Sequence, residues 1–110
     1  MKLAIIGSRN ITVEHLEDFL PQNITEIISG GAKGVDTSAK DYALTYNIKL
    51  VEFFPSYELY GRAAPLKRNE QIVQRADLIL AFWDGKSRGT KYTINYAKKH
   101  GVLTKVILMK

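Results

Sequence analysis

Leu78-Ile79-Leu80-Ala81-Phe82-Trp83 is a run of six residues with no charged or hydroxyl side chain. A span of the bilayer needs about 20 apolar residues, so this is no membrane helix. An element apolar on both faces of its pleat is what a central strand of a covered parallel sheet looks like. The sequence on its far side agrees. Asp84-Gly85-Lys86-Ser87-Arg88-Gly89 reads as a loop, and Thr90 to His100 has helical spacing that Gly101 ends.

The same alternation extends back toward the start. Strands are expected at Leu3 to Ile6, Glu26 to Ile28, Lys49 to Phe53, Leu78 to Trp83 and Lys105 to Met109. Helices are expected from Val13 to Leu20, from Val35 to Tyr46, from Leu66 to Ala76 and from Thr90 to His100. Thr12 is placed to cap the first, and Pro21 stops it. In the second, Ala39, Tyr42, Ala43 and Tyr46 share a face, and in the third Leu66, Ile72, Val73 and Ala76 point inward. Pro55 to Pro65 is one long irregular connection, and Pro65 suits the first position of the helix that follows. Right-handed crossovers fold this α/β order into a three-layer α-β-α Rossmann-like sandwich, a five-stranded parallel sheet of order 3-2-1-4-5. Ligands in such sheets bind beyond the carboxyl ends of the strands at the switch point, here the loops after strands one, two and four.

Composition fits a single domain over residues 1–110. Its 45% apolar and 25% charged residues are ordinary globular values. The absence of cysteine excludes disulfides and thiolate chemistry, and together with the lack of a signal-like start it suggests the cytoplasm. His15 and His100, far apart, read as surface residues, and no metal site is expected. The charge of +5 is uneven. Up to residue 55 there are five lysines and arginines against seven acids, and from residue 56 eleven against four, giving −2 and +7. That asymmetry favours an anionic partner.

The three rim loops hold Gly7, then Gly30, Gly31 and Gly34, then Gly85 and Gly89. Glycine lets backbone N–H groups approach an anion, and a helix start adds about half a positive charge. A single glycine after a strand serves only the turn, but the clustering points to a phosphate site. Neither a P-loop nor G-x-G-x-x-G is present, since Ser29 stands at the first glycine of the latter. Asp36, Asn69 and Thr90 are polar residues on inward helical faces and therefore need partners. Asp36 and Thr90 serve either as caps or as ligand contacts, and Asn69 either bonds a neighbouring loop or does the same. Ser8, Arg9, Ala32, Lys33, Arg68, Lys86, Ser87 and Arg88 surround them, with Arg68 and Arg88 preferred as phosphate contacts. Trp83 is read as core rather than a base platform, and Tyr57 and Tyr60 as forming either a lid or a dimer contact.

Gly7-Ser8-Arg9, Ser29-Gly30-Gly31-Ala32-Lys33-Gly34-Val35-Asp36, Arg68-Asn69 and Gly85-Lys86-Ser87-Arg88-Gly89-Thr90, in that order, resemble the SLOG superfamily of DprA/Smf and LOG-like Rossmann-type domains. The small bacterial and phage proteins of the DUF2493 or YspA-like type are the nearest in look. The resemblance implies a pocket for a nucleotide or nucleotide-derived ligand such as an ADP-ribose or NAD-like molecule, no required cofactor, and a homodimer. It places Gly7, Ser8, Gly30, Gly31, Asp36, Arg68, Asn69, Ser87, Gly89 and Thr90 on motif positions. LOG hydrolases carry a glutamate three residues after the Gly-Thr pair, where this chain has Thr93. A threonine holds no negative charge and is no base near neutral pH.

The leading reading is therefore binding or sensing of a nucleotide-like small molecule. An N-glycosidase or phosphoribohydrolase-type enzyme comes second, with Asp36 as its catalytic carboxylate and Glu52 and Asp84 as weaker candidates. A nucleic-acid-binding DprA-like module comes third, and no membrane partner is expected.

Overall fold

The structure is a computed structural model that describes residues 1–109. Its sheet has five parallel strands, β1 (Lys2–Gly7), β2 (Glu26–Ser29), β3 (Lys49–Glu52), β4 (Leu78–Trp83) and β5 (Leu103–Leu108), in the order β3-β2-β1-β4-β5. The helices are α1 (Val35–Thr45), a single turn α2 (Tyr57–Tyr60), α3 (Ala64–Arg75) and α4 (Arg88–Lys99). The expected Rossmann-like α/β architecture is thus present.

Each face of the sheet carries its own apolar cluster. Leu3, Ile5, Ile27, Leu80 and Phe82 pack under Val35, Ala39 and Ala43 of α1, while Ala4, Ile6, Ile28, Ile79 and Ala81 pack under Ile72, Val73, Ile94 and Ala97 of α3 and α4. Alternate residues of β1 and β4 serve opposite faces, which is why both strands are apolar throughout. Of the three long helices that lead into strands, α1 and α4 close as αL caps, whereas α3 ends in extended backbone at Ala76. Val102 N–H bonds Ala97 O at 2.9 Å past Gly101, and Ile48 N–H bonds Ala43 O at 2.9 Å past Asn47.

Four expectations need correction. The helix over Val13 to Leu20 is only a 3-10 turn at Leu16–Phe19, and Thr12 does not cap it. Ile11, Val13 and Leu16 are all buried, and the Val13 N–H is taken by the Ser38 hydroxyl at 3.0 Å. Burying those aliphatic residues, Ile11 and Val13 among them β-branched, while bonding α1 holds the backbone open, and Pro21 leaves no room for recovery. Tyr46 turns outward, 57% exposed, because it already stands at the C-cap of α1. β5 starts two residues before the expected Lys105, its Leu103 paired with Leu78. The connection after Pro55 is less irregular than expected, since α2 and a 3-10 turn at Gly61–Ala63 lead into α3.

No helix among the described residues is long and apolar enough to cross a membrane.

Candidate functional site

The loops after β1, β2 and β4 and the first half of α3 enclose a cleft of about 380 Å³ beyond the carboxyl ends of the strands. That is the lower end of the size range of small-molecule sites. It lies at β1 and β4, where the winding reverses, as the topology requires. Of the residues singled out by sequence, Gly7, Ser8, Arg9, Gly30, Ala32, Asp36, Arg68, Asn69, Ser87, Gly89 and Thr90 line it. Gly31, Gly34 and Arg88 do not, and Arg88 is exposed.

Arg68 organises the β2 side. It is buried despite its charge, 8% exposed. Its Nη1 donates to Gly30 O at 2.6 Å and to Phe53 O at 3.4 Å, and its Nε donates to Asn69 Oδ1 at 2.8 Å. One guanidinium therefore ties the ends of β2 and β3 to α3, which only a planar fork of donors can do. Asn69 is thereby a positioning partner of Arg68. Burial lowers the pKa of Arg68, Asp36 works against that, and Arg9 adds repulsion. A methyl group on Gly30 would fall 2.6 Å from Arg68 Nη1 and 3.0 Å from Asp36 Oδ2, so glycine is needed there for space.

Asp36, in the first turn of α1, accepts the Ala32 N–H on Oδ2 at 3.1 Å. Burial raises its pKa, opposed by that N–H and by the charge of Arg68. The carboxylate is therefore a loop fastener in a cleft whose other charged residues are Arg9, Arg68 and Asp84. Just before α1, Gly34 (φ 70°) seats against Arg9, whose carbonyl oxygen would lie 2.4 Å from a methyl group at that position. Of the two helix starts expected to converge, one reaches the cleft through Asp36 and the other through Gly89 and Thr90.

The second belongs to α4. Its first outer bond runs from Lys91 N–H to Ser87 O at 3.2 Å, so the N–H groups of Arg88, Gly89 and Thr90 have no partner within the helix. Gly89 and Thr90 line the cleft. Ser87 Oγ and Thr90 Oγ1 lie 3.2 Å apart and bond each other rather than capping backbone. Asp84 holds the preceding loop, its Oδ1 accepting from Lys86 N–H at 2.8 Å and Ser87 N–H at 2.7 Å. Those two bonds hold its carboxyl below the usual range, with the Ser8 and Asn10 side chains adding to the effect from across the cleft.

Ser8 is the unusual member. It is 2% exposed, and among the described residues its Oγ is the one buried side-chain polar atom without a hydrogen-bond partner. Buried hydroxyls are nearly always bonded, and an orphan costs about 1 to 3 kcal/mol. An orphan lining a cleft beside a free helix start is poised for a ligand acceptor.

Thr93, at the position where LOG enzymes have glutamate, is 1% exposed and donates to Gly89 O at 2.9 Å. Trp83 packs against the α3/α4 cluster and its indole N–H donates to Ser87 O at 3.0 Å, which fixes the ring in the loop. Sequence reasoning missed Asn10, Pro65 and Leu66 as cleft walls. Leu66 has core spacing, so nothing in the pattern marks it as facing the cleft. Asp84 was only a weak candidate, although an Asp two residues before Lys86 is an Asx-turn signal. No cluster of metal-ligating residues exists among the described residues.

Residues 1–93 match the family described as DNA recombination-mediator protein A. The Gene 61 protein of Mycobacterium phage D29 is 32% identical over 82 residues, a match covering 69% of this chain and 66% of that protein. DNA processing protein A (DprA) from Streptococcus pneumoniae shares the fold, with a TM-score of 0.76 at 20% identity over 99% of this chain and 50% of that one. The chain thus spans about half the length of that DprA and just under two thirds of the phage protein.

Proposed function

From the premise that this chain belongs to the DNA recombination-mediator protein A family, we propose that its cleft binds the phosphate and sugar of a nucleotide-type ligand. Within the wider SLOG superfamily we group it with the small DUF2493 or YspA-like proteins, on the order of its loop motifs. The orphaned Ser8 hydroxyl carries the reading. It and the free N–H groups at the start of α4 are donors in search of an acceptor, and Arg9 and Arg68 make that acceptor an anion. Asp36, which accepts the Ala32 N–H on Oδ2 and lines the cleft, is suited to take a sugar hydroxyl on its carboxylate. Thr93, neutral and bonded to its own helix, offers no base, so the geometry favours binding over turnover.

A second reading makes the ligand a link in a single-stranded nucleic acid. The family's DNA-related members support it, as does the +7 charge of residues 56–110.

Thermal denaturation with AMP, ADP-ribose, NAD and a ten-nucleotide single strand tests both. A true ligand at a hundredfold excess over Kd stabilises the fold by about 2.7 kcal/mol. Binding of AMP or ADP-ribose that Ser8→Ala weakens supports the first reading, and binding of the strand alone supports the second. No stabilisation by any of the four rejects the cleft as a nucleotide site.

A further inference from the structure

Phe54 follows β3 and leaves its ring in solvent, 62% exposed. It is not loose, for the ring lies on Gly31, where a methyl group would fall 2.3 Å from Phe54 Cε1. Gly31 has φ 66°, so glycine is required there both for the backbone and for the ring. Gly30 and Ala32, its neighbours, both line the cleft. One face of Phe54 thus rests on the outer wall of the turn that bounds the cleft, and the other faces water. Three residues on, Tyr57 is 60% exposed, and its phenol lies close enough to act on the Arg68 guanidinium. Phe53, between the strand and this segment, is anchored by its carbonyl to Arg68 and by its N–H to Ser29 O at 2.9 Å.

An aromatic ring with one face left wet gains for folding only from the face that is covered. A ring held beside a cleft that contains arginines is an arrangement that takes the flat face of a base, because stacking accepts any base while the charge holds the backbone. The same short segment also exposes Leu59 and Tyr60, and Arg62 and Lys67 follow it.

We propose that Phe54 and Tyr57 form a stacking shelf for the base of the nucleotide unit whose phosphate the cleft holds. This rests on the phosphate reading above and adds to it a requirement for a base-bearing ligand. A sugar phosphate has the anion without the ring and gains nothing from the shelf. The same chemistry comes from a free nucleotide or from a residue of a single strand.

The test pairs each source with its base-less counterpart. AMP is compared with ribose 5-phosphate by calorimetry, and a ten-nucleotide adenine strand with an abasic strand of equal length by fluorescence anisotropy. Phe54→Ala, and separately Tyr57→Ala, should weaken the base-bearing member of the binding pair about tenfold, and Phe54→Trp should restore it. Both side chains are exposed, and unchanged melting temperatures will show that the fold is intact. The base-less member should change by less than twofold on these substitutions, and Ser8→Ala should weaken both members alike. Equal affinity of the unmodified protein for base-bearing and base-less ligands, or an undiminished affinity in both alanine variants, overturns the shelf while leaving the phosphate cleft standing. If no member of either pair binds the unmodified protein, the phosphate reading falls and the shelf with it. Loss with AMP alone assigns the free nucleotide as the source, and loss with the strand alone assigns nucleic acid.

Discussion

Ser8 sets function against stability in a single atom. Its hydroxyl is buried with no partner at hydrogen-bonding distance, although it lies near enough to Asp84 to lower that carboxyl's pKa, so removing it should cost the native state little. Ser8→Ala should leave the urea midpoint unchanged or raise it slightly, while weakening phosphate-bearing ligands about tenfold, since a hydrogen bond to a charged group is worth about 1.5 to 3 kcal/mol. A clear fall in stability would mean that the hydroxyl has an internal partner. Arg68 is the opposite case, because its guanidinium is bonded to Gly30, Phe53 and Asn69. Arg68→Lys keeps the charge and loses the fork. It should destabilise by about 1 to 3 kcal/mol and also loosen binding, which equilibrium unfolding and calorimetry on the same variant would separate. At Asp36 burial raises the folded pKa, so this residue favours the folded state at low pH and the favour is lost as pH rises through the folded value. Asp36→Asn should therefore reduce the variation of stability with pH on that limb.

Between elements, the opposite edge of the sheet has its own electrostatic clasp, and it has nothing to do with the cleft. Glu26 opens β2, is 3% exposed, and receives Arg75 Nε at 2.6 Å and Nη2 at 2.9 Å from the end of α3. Lys49, at the start of β3, approaches it to 3.4 Å. The bond from Arg75 outweighs burial and brings the Glu26 pKa from 4.5 down to about 2. A lowered acid pKa stabilises the fold above the ordinary value, and that share is lost as pH falls from about 4.5 toward 2. Glu26→Gln should cost about 1 to 3 kcal/mol near neutrality and flatten the acid limb of the urea midpoint against pH. An acid limb as steep as in the unmodified protein would locate the sensitivity elsewhere. At the cleft edge, loops one and two are pressed together at Gly34, where no side chain fits against the Arg9 carbonyl. Gly34→Ala should force the loops apart, lowering stability by more than about 1 kcal/mol and ligand affinity with it.

For the whole molecule, the sum of +5 says less than its distribution, −2 up to residue 55 and +7 beyond. If a single strand is the ligand, log affinity should fall with log salt by about 0.7 per phosphate neutralised. A titration between low and moderate salt that gives a flat line would remove the strand and leave a small molecule. Topology was readable at this scale because each element announces itself locally. The uninterrupted Leu78 to Trp83 could only be a strand covered twice, Gly101 could only end a helix, and right-handed crossovers then leave few orders for five strands. The first helix was misread because its apolar spacing suits a helix equally well, and the bond from Val13 N–H to Ser38 Oγ that diverts it joins residues 25 apart. Composition and spacing also brought eleven of the fourteen singled-out cleft residues to the right edge, since glycine loops after strands must lie there.

Local chemistry alone thus determined the strands, their winding and the rim at which the cleft lies, because hydrophobic period and turn residues act over a few positions of chain. Partnership was decided only by the folded chain. That Ser8 is left without a partner at bonding distance, that Arg68 bonds to Gly30, Phe53 and Asn69, that Gly34 seats against Arg9, and that Phe54 rests on Gly31 depend on groups from distant segments meeting within a few ångströms. No pattern along the sequence records such meetings, for a hydrogen bond or a steric contact is a property of positions in space.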